Sequence, residues 1–334
     1  DAVDDYQRRI GAPAGRGAYA LGQEVQRRIA RCRSRVAGLL NVKEADRIAF
    51  GLNGTDVLNI ALHGLLRSGD HVVTTVIEHN SVLRPLRWLS EQRAVEVTHV
   101  GCNAEGIVSA SDIADAINPK TRLIAISHAS NVTGSIQPIA DIGKIAHDAG
   151  AMLLVDAAQS LGHLPMDVRE MNIDVLAASG HKGLLGPLGT GVLYLSQQAS
   201  EKAESLRQGG TGTVSESDVQ PDALPEKFEA GNLNVPGLFG LDAGVGFVQS
   251  QTLEALRAHE IELSSLLHEG LREVDAVTLY GPADPHSRVG VVSFNIAGFD
   301  PQEGASLLEM EFNLQVRAGL DCAPRMHEAL GTRQ

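Results

Sequence analysis

The sequence predicts an α/β protein: a mostly parallel, helix-covered sheet in a large domain, with a smaller α+β domain toward the C-terminal end. Three observations lead there. Short apolar runs rich in Val, Ile and Leu recur up to about residue 195, the form taken by strands buried on both faces. Helical patterns lie between them, and such alternation implies parallel strands joined by crossover helices. Beyond about residue 200 the pattern gives way to a polar, Gly- and Pro-rich stretch and then to a less regular mixture.

In chain order, a helix is expected over 21–40, then a strand at "RIAF" (47–50) and a helix over 54–67. "SGD" (68–70) ends that helix, because Gly suits the left-handed residue that follows a helix. The strand "HVVTTV" (71–76), a helix over 80–93, the strand "AVEVTHV" (94–100) and a helix over 109–117 follow. Pro119 in "NPKT" cannot continue a helix, so the strand "RLIAISHA" (122–129) starts afresh. A helix over 138–149, closed by "DAG", leads to "AMLLVDAA" (151–158); "IDVLAAS" (173–179) and "GVLYL" (191–195) complete the strands. Residues 200–236 read as one long loop, and loops of that length inside a domain are usually functional. One long helix is expected over about 237–272, then an α+β segment over 277–334. The large domain is placed at 1–248 and the small one at 249–334, the latter expected to be incomplete because both chain ends break off abruptly.

The 334 residues suffice for a large core. A formal net charge of -13 weighs against a nucleic-acid partner, since binders of phosphate backbones concentrate positive charge. No apolar run reaches the roughly 18 residues of a membrane span, and the charged opening "DAVDDYQRRI" lacks the apolar core of a signal peptide. Cys32, Cys102 and Cys322 are widely spaced and form no CxxC pair. No metal or dithiol site is expected from them, and a reducing cytoplasm is the expected location. No GxxxxGK[ST], HExxH or GxSxG occurs and no GxGxxG follows a strand, which removes the usual supports for nucleotide, zinc-protease and serine-hydrolase chemistry.

Ligands of open parallel sheets bind at the carboxyl ends of the strands. There the sequence offers "GLNGTD" (51–56), "EHNS" (78–81), "SHASNVTG" (127–134), "DAAQS" (156–160) and "SGHK" (179–182). One crevice receives Thr55, His79, Asn131, Asp156, Gln159, His181 and Lys182, a set that fits a pyridine aldehyde phosphate. "NGTD" opens a helix whose N–H groups and Thr55 hydroxyl suit a phosphate, although Asn53 or Thr55 serves equally as an ordinary cap. Asp156 ends a buried strand and needs a partner, either a protonated ring nitrogen or a salt bridge or cap within the protein. Gln159 and Asn131 can donate toward a ring oxygen, and His79 can stack on a ring or stay a solvated loop residue. Lys182 is the most specific of the set: a Schiff base needs a neutral amine, and burial beside His181 and a Gly-rich turn lowers a lysine pKa.

Six ordered stretches, "EHNSVLRPL", "SHASNVTG", "VDAAQS", "SGHKGLLGPLGTGVLY", "FEAGNLNVPG" and "VRAGLDCAP", together resemble the class V aminotransferase-like family of pyridoxal phosphate enzymes. Within it they are most similar to cysteine desulfurases of the group that includes selenocysteine lyases. The resemblance runs from "GRGAY" near residue 15 to "GLDCAP" near 322. It implies PLP-dependent transferase fold type I and a homodimer. Lys182 becomes the covalent anchor of pyridoxal 5'-phosphate, with Asp156 on the ring nitrogen, His79 on the ring face, and Gln159 and Asn131 near the ring hydroxyl. Gly54, Thr55, Ser179 and His181 hold the phosphate, joined by Asn232 of the long loop reaching over from the partner subunit. Arg317 and Asn131 line the substrate site. Cys322 takes sulfur from L-cysteine as a persulfide, for transfer to an acceptor protein in a pathway such as iron–sulfur cluster assembly.

Three departures qualify these expectations. Asn232 stands where the family usually has Thr. Asp321 stands where relatives often carry His, and its charge is expected to make the Cys322 thiolate scarcer. The arginine that holds the substrate carboxylate in relatives is expected beyond the chain end, as is a strand preceding "GRGAY". The alternative activity is a selenocysteine or cystine lyase, or an aminotransferase, without the sulfur relay.

Overall fold

The computed structural model describes residues 1–15, 17–214 and 216–333, so Arg16 of "GRGAY" and Ser215 of the long loop lie outside the described residues. A short helix α1 (Ala2–Asp5) continues as a π-helix over Tyr6–Ile10. The expected alternation follows as α2 (Ala20–Leu39), β1 (Ile48–Gly51), α3 (Gly54–Leu65), β2 (His71–Thr75), α4 (Asn80–Arg93) and β3 (Glu96–Val100). It continues through α5 (Ala110–Asp115), β4 (Thr121–Ser127), α6 (Ile139–Asp148), β5 (Met152–Asp156), β6 (Val175–Ser179) and β7 (Gly191–Leu195). Differences are confined to ends: Ala94 takes a left-handed φ of 51° to close α4, so β3 begins only at Glu96.

The seven strands form one sheet in the order β1-β7-β6-β5-β4-β2-β3, in which only β7 runs antiparallel to its neighbours. A short α7 (Gln197–Lys202) leads into the long loop, and α8 (Val235–Gln251) follows it. The pleat sends alternate side chains to opposite faces. In β4, Ile124 and Ile126 join Ile29 of α2, Ile142 of α6 and Leu241 of α8, whereas Leu123 and Ala125 join Leu58 and Leu62 of α3 and Leu86 and Leu89 of α4. Two apolar layers therefore clamp the sheet, and its continuous apolarity in sequence is the consequence.

The single helix expected over 237–272 is instead two, α8 and α9 (Leu253–Arg272). Thr252 adopts φ 63° and ψ 144°, which turns the chain, and its hydroxyl oxygen accepts the Ala255 N–H at 3.3 Å to cap α9. Neither Gly nor Pro marks the break. An antiparallel ribbon of β8 (Val277–Tyr280) and β9 (Ser293–Ile296) follows, then α10 (Pro301–Phe312) and α11 (Pro324–Ala329). The long loop is pinned to the sheet through Glu229, which is buried, pairs with Arg33 of α2 at 2.7 Å and accepts the Phe50 N–H at 2.7 Å. Among the described residues no helix is long and apolar enough to cross a membrane.

Candidate active site

β6, β5, β4 and β2 are adjacent and parallel, so their carboxyl ends open side by side. A cavity of about 680 Å³ lies over them. Gly54, Thr55, His79, Asn131 and Asp156 line it, as do Gln159, Ser179, His181, Lys182 and Arg317. Two of the predicted residues do not. Asn232 lines a second, smaller cavity with Arg207 and Glu229. Cys322 sits at the rim, exposed, with Arg317 Nη2 donating to its Sγ at 3.4 Å.

The start of α3 faces the cavity. Asn53 supplies the cap, accepting the Asp56 N–H at 2.9 Å, so Thr55 is not spent on that task. The Thr55 hydroxyl instead meets Ser81 Oγ at 2.6 Å. The first N–H groups of a helix have no partner within it, and with the Ser179 and Thr55 hydroxyls and His181 alongside they form a seat for an anion. Close approach demands glycine here: a Cβ on Gly54 meets Ser179 Oγ at 2.5 Å, and one on Gly191 meets the Asn53 carbonyl oxygen at 2.5 Å. These contacts bring the helix start against the ends of β6 and β7.

Asp156 is buried at the end of β5, and burial raises its carboxyl pKa against the Ala158 N–H, 2.9 Å from Oδ1, and the attraction of Lys182. Such a carboxylate calls for a cation on the cavity side. Burial and Arg317 push the Lys182 pKa below that of a free amine while Asp156 opposes them, which makes the amine easier to deprotonate. His79 Nδ1 accepts the Ser81 N–H at 3.0 Å, which caps α4 and leaves the ring proton on Nε2. Burial, with Lys182, Arg317 and Arg84 nearby, lowers the His79 pKa; burial and Lys182 do the same for His181.

The Cys322 loop is strained and tied down. Asp321 and Cys322 both take left-handed backbone, φ 46° and 58°, at a cost of about 1 kcal/mol or more each for residues with a Cβ. The Asn80 N–H donates to the Cys322 carbonyl at 2.7 Å, and Asn131 Nδ2 donates to the Asp321 carbonyl at 2.6 Å. Asn131 thus spends its amide on this loop as well as lining the cavity. The Asp321 carboxylate, expected to repel a thiolate, lies 2.6 Å from Arg317 Nε.

Sequence reasoning missed three polar residues here. Ser81 and Ser127 line the cavity, and Glu78 lies behind them, wholly buried. Glu78 Oε1 accepts from the Thr75 hydroxyl (2.6 Å) and the Ser127 N–H (3.1 Å), and Oε2 from the Ser127 hydroxyl (2.8 Å). Burial, against those bonds but helped by the charge of Asp156, pushes its pKa up to about 7. Its signal in the sequence is an acid that follows Val76 and Ile77 just beyond the end of β2. Among the described residues, no group of three or more His, Cys, Asp or Glu is placed to hold a metal ion.

Comparison with known proteins identifies the family. The family described as Aminotransferase class-V matches residues 1–334. The chain is 40% identical to a probable cysteine desulfurase of Methanothermobacter thermautotrophicus, covering 99% of this chain and 84% of that one. It is 32% identical to a cysteine desulfurase of Enterobacter sp. (strain 638), with coverages of 97% and 80%. Its fold matches the apo cysteine desulfurase of Thermococcus onnurineus NA1 with a TM-score of 0.91 at 35% identity, covering 99% and 83% of the two chains. The cysteine desulfurase CsdA of Escherichia coli, in an S-sulfonic acid form, matches with a TM-score of 0.89 at 28% identity and the same coverages, 99% and 83%. With a family match along the full sequence and relatives this similar over nearly all of it, the chain belongs to the class-V aminotransferase family.

Proposed function

We propose that the protein is a pyridoxal 5'-phosphate-dependent cysteine desulfurase. It converts L-cysteine to L-alanine and holds the sulfur as a persulfide on Cys322 for an acceptor protein. One observation carries this reading: a single cavity joins the Lys182 amine, the Asp156 carboxylate and the anion seat of α3, and Arg317 reaches from that cavity to the Cys322 sulfur. The residues fit the cofactor. The α3 start with Ser179 and His181 suits its phosphate, Asp156 its protonated ring nitrogen, His79 its ring face and Lys182 its aldehyde. When bound there, pyridoxal phosphate supplies an electron sink for bonds to the substrate α-carbon.

Lys182, whose amine burial shifts toward easier deprotonation, takes the α-proton and returns it. Cys322 attacks the substrate sulfur as a thiolate; the carbon–sulfur bond breaks and its electron pair stays on carbon. The net change moves one sulfur from substrate to Cys322 and replaces the broken bond by C–H, the hydrogen coming from the Cys322 thiol. Asn232, outside this subunit's own main cavity, is free to act at the partner's site in a homodimer.

The test is turnover of L-cysteine by the purified protein, with alanine and protein persulfide both quantified. Cys322→Ala is expected to abolish persulfide and reduce alanine formation to background. Lys182→Ala is expected to remove the borohydride-sensitive absorbance band of the bound cofactor. Undiminished turnover in Cys322→Ala rejects the relay and leaves a lyase or aminotransferase.

A further inference from the structure

On the Cys322 loop, one guanidinium touches two groups of opposite consequence. Arg317 Nε lies 2.6 Å from Asp321 Oδ1, an ion pair without a straight hydrogen bond, while Nη2 donates to Cys322 Sγ at 3.4 Å. The Arg317 side chain is 66% exposed and the Asp321 side chain 18%. An arginine that open to solvent keeps most of its rotamer freedom, so the immobile partner is the sheltered acid. Asp321 is itself fixed through its own carbonyl by Asn131. Other charged or titratable groups near this loop include His79, the cap of α4, and Arg84 within it, Lys182 just beyond β6, and Arg325 and His327 of α11.

We propose that Asp321 is a positioning residue that anchors Arg317 so that its guanidinium stays on the Cys322 sulfur and stabilises the negative charge the sulfur carries as it reacts. The use made of that sulfur rests on the desulfurase reading above; the anchoring does not. An acid acting on a neighbouring thiol by charge alone makes the thiolate scarcer, so its removal speeds thiolate chemistry. An acid acting through Arg317 has the opposite sign: its removal frees the guanidinium and slows that chemistry.

The measurement is the rate of iodoacetamide alkylation of the Cys322 peptide in the cofactor-loaded protein, by mass spectrometry, across pH 5 to 9. Arg317→Gln is expected to slow alkylation near neutral pH about tenfold, the loss of one charge-assisted contact to the reacting sulfur. Asp321→Asn is expected to slow it in the same direction by about threefold or more, and Asp321→Glu to recover most of the rate. Asn tolerates left-handed backbone as Asp does, so the loop keeps its shape. Faster or unchanged alkylation in Asp321→Asn overturns the anchoring. Absence of alanine formation by the wild-type protein overturns the desulfurase reading instead, and leaves the alkylation result to be judged separately.

Discussion

Glu78 is the residue whose environment most contradicts its chemistry. It is wholly buried, accepts three hydrogen bonds and faces the charge of Asp156. Its pKa rises on folding from 4.5 to about 7. An acid raised on folding contributes its stability below its unfolded pKa and loses that contribution as pH climbs through the folded value. The window therefore runs from about 4.5 to about 7, and the loss across it is on the order of 3 kcal/mol. Glu78→Gln keeps the hydrogen-bonded shape and carries no charge at any pH. Its stability relative to wild type is expected to rise by that amount between pH 4.5 and 8, read from chemical unfolding at a series of pH values. A difference independent of pH would show that the Glu78 charge is never buried. The same burial logic made Lys182 and Asp156 legible in the sequence, since each follows a continuously apolar run. Glu78 has no such run before it, since β2 ends in Thr74 and Thr75, and its partners Thr75 and Ser127 come from separate strands that only the sheet order brings together.

α3 shows what a secondary-structure element adds to its residues. Its anion seat depends on the helix start lying against the end of β6, with Gly54 and Ser179 almost in contact. Gly54→Ala places a methyl group 2.5 Å from Ser179 Oγ, so either the Ser179 hydroxyl turns away or the helix start withdraws, and both disturb the seat. Pyridoxal phosphate affinity is expected to fall at least about tenfold, since a misplaced helix end loses charge-assisted hydrogen bonds to a phosphate. Fluorescence titration of cofactor-stripped protein measures it, with phosphate-free pyridoxal as control. Loss of affinity for the phosphorylated form alone supports the seat, and equal loss for both points to a collapsed pocket. The helices from α2 to α6 were readable from the helical period of a buried face, and most of the strands as short, continuously apolar runs buried on both faces. The break at Thr252 was not, because Thr carries no turn signal and α8 is apolar all round, with Leu238, Leu241 and Val245 buried. Asn53 and Thr55 were equivalent candidates for capping in sequence; the hydroxyl of Ser81 distinguishes them in space by occupying Thr55.

Among the contacts that tie the C-terminal elements to the rest of the chain is a joint centred on Glu260 of α9. Oε1 lies 3.1 Å from His163 Nδ1 and accepts the Gly290 N–H at 2.9 Å, while Oε2 accepts from Arg257 Nη1 at 2.7 Å. Arg257 also donates to the Pro285 carbonyl at 2.9 Å, and the His163 ring lies against Gly183, the residue after Lys182. The joint therefore links α9, the segment before β9 and the turn that carries the candidate Schiff-base lysine. Burial alone raises the Glu260 carboxyl, but the bonds from His163, Arg257 and Gly290 outweigh it and hold the pKa at about 2. An acid depressed on folding contributes stability above its unfolded pKa and loses it as pH falls through the folded value. Glu260→Gln is expected to cost about 2 kcal/mol at pH 7, the range for a charge-assisted hydrogen-bond set, and the deficit should shrink as pH drops from 4.5 toward 2. Hydrogen exchange separates a local joint from general weakening. The Gly290 amide, bonded directly to Glu260, is expected to lose protection in the variant, whereas the core amides of β5 and β6 fall only by the global change. Equal loss at all these sites would mean that Glu260 supports the fold diffusely and that the C-terminal elements are not coupled to the Lys182 turn through it.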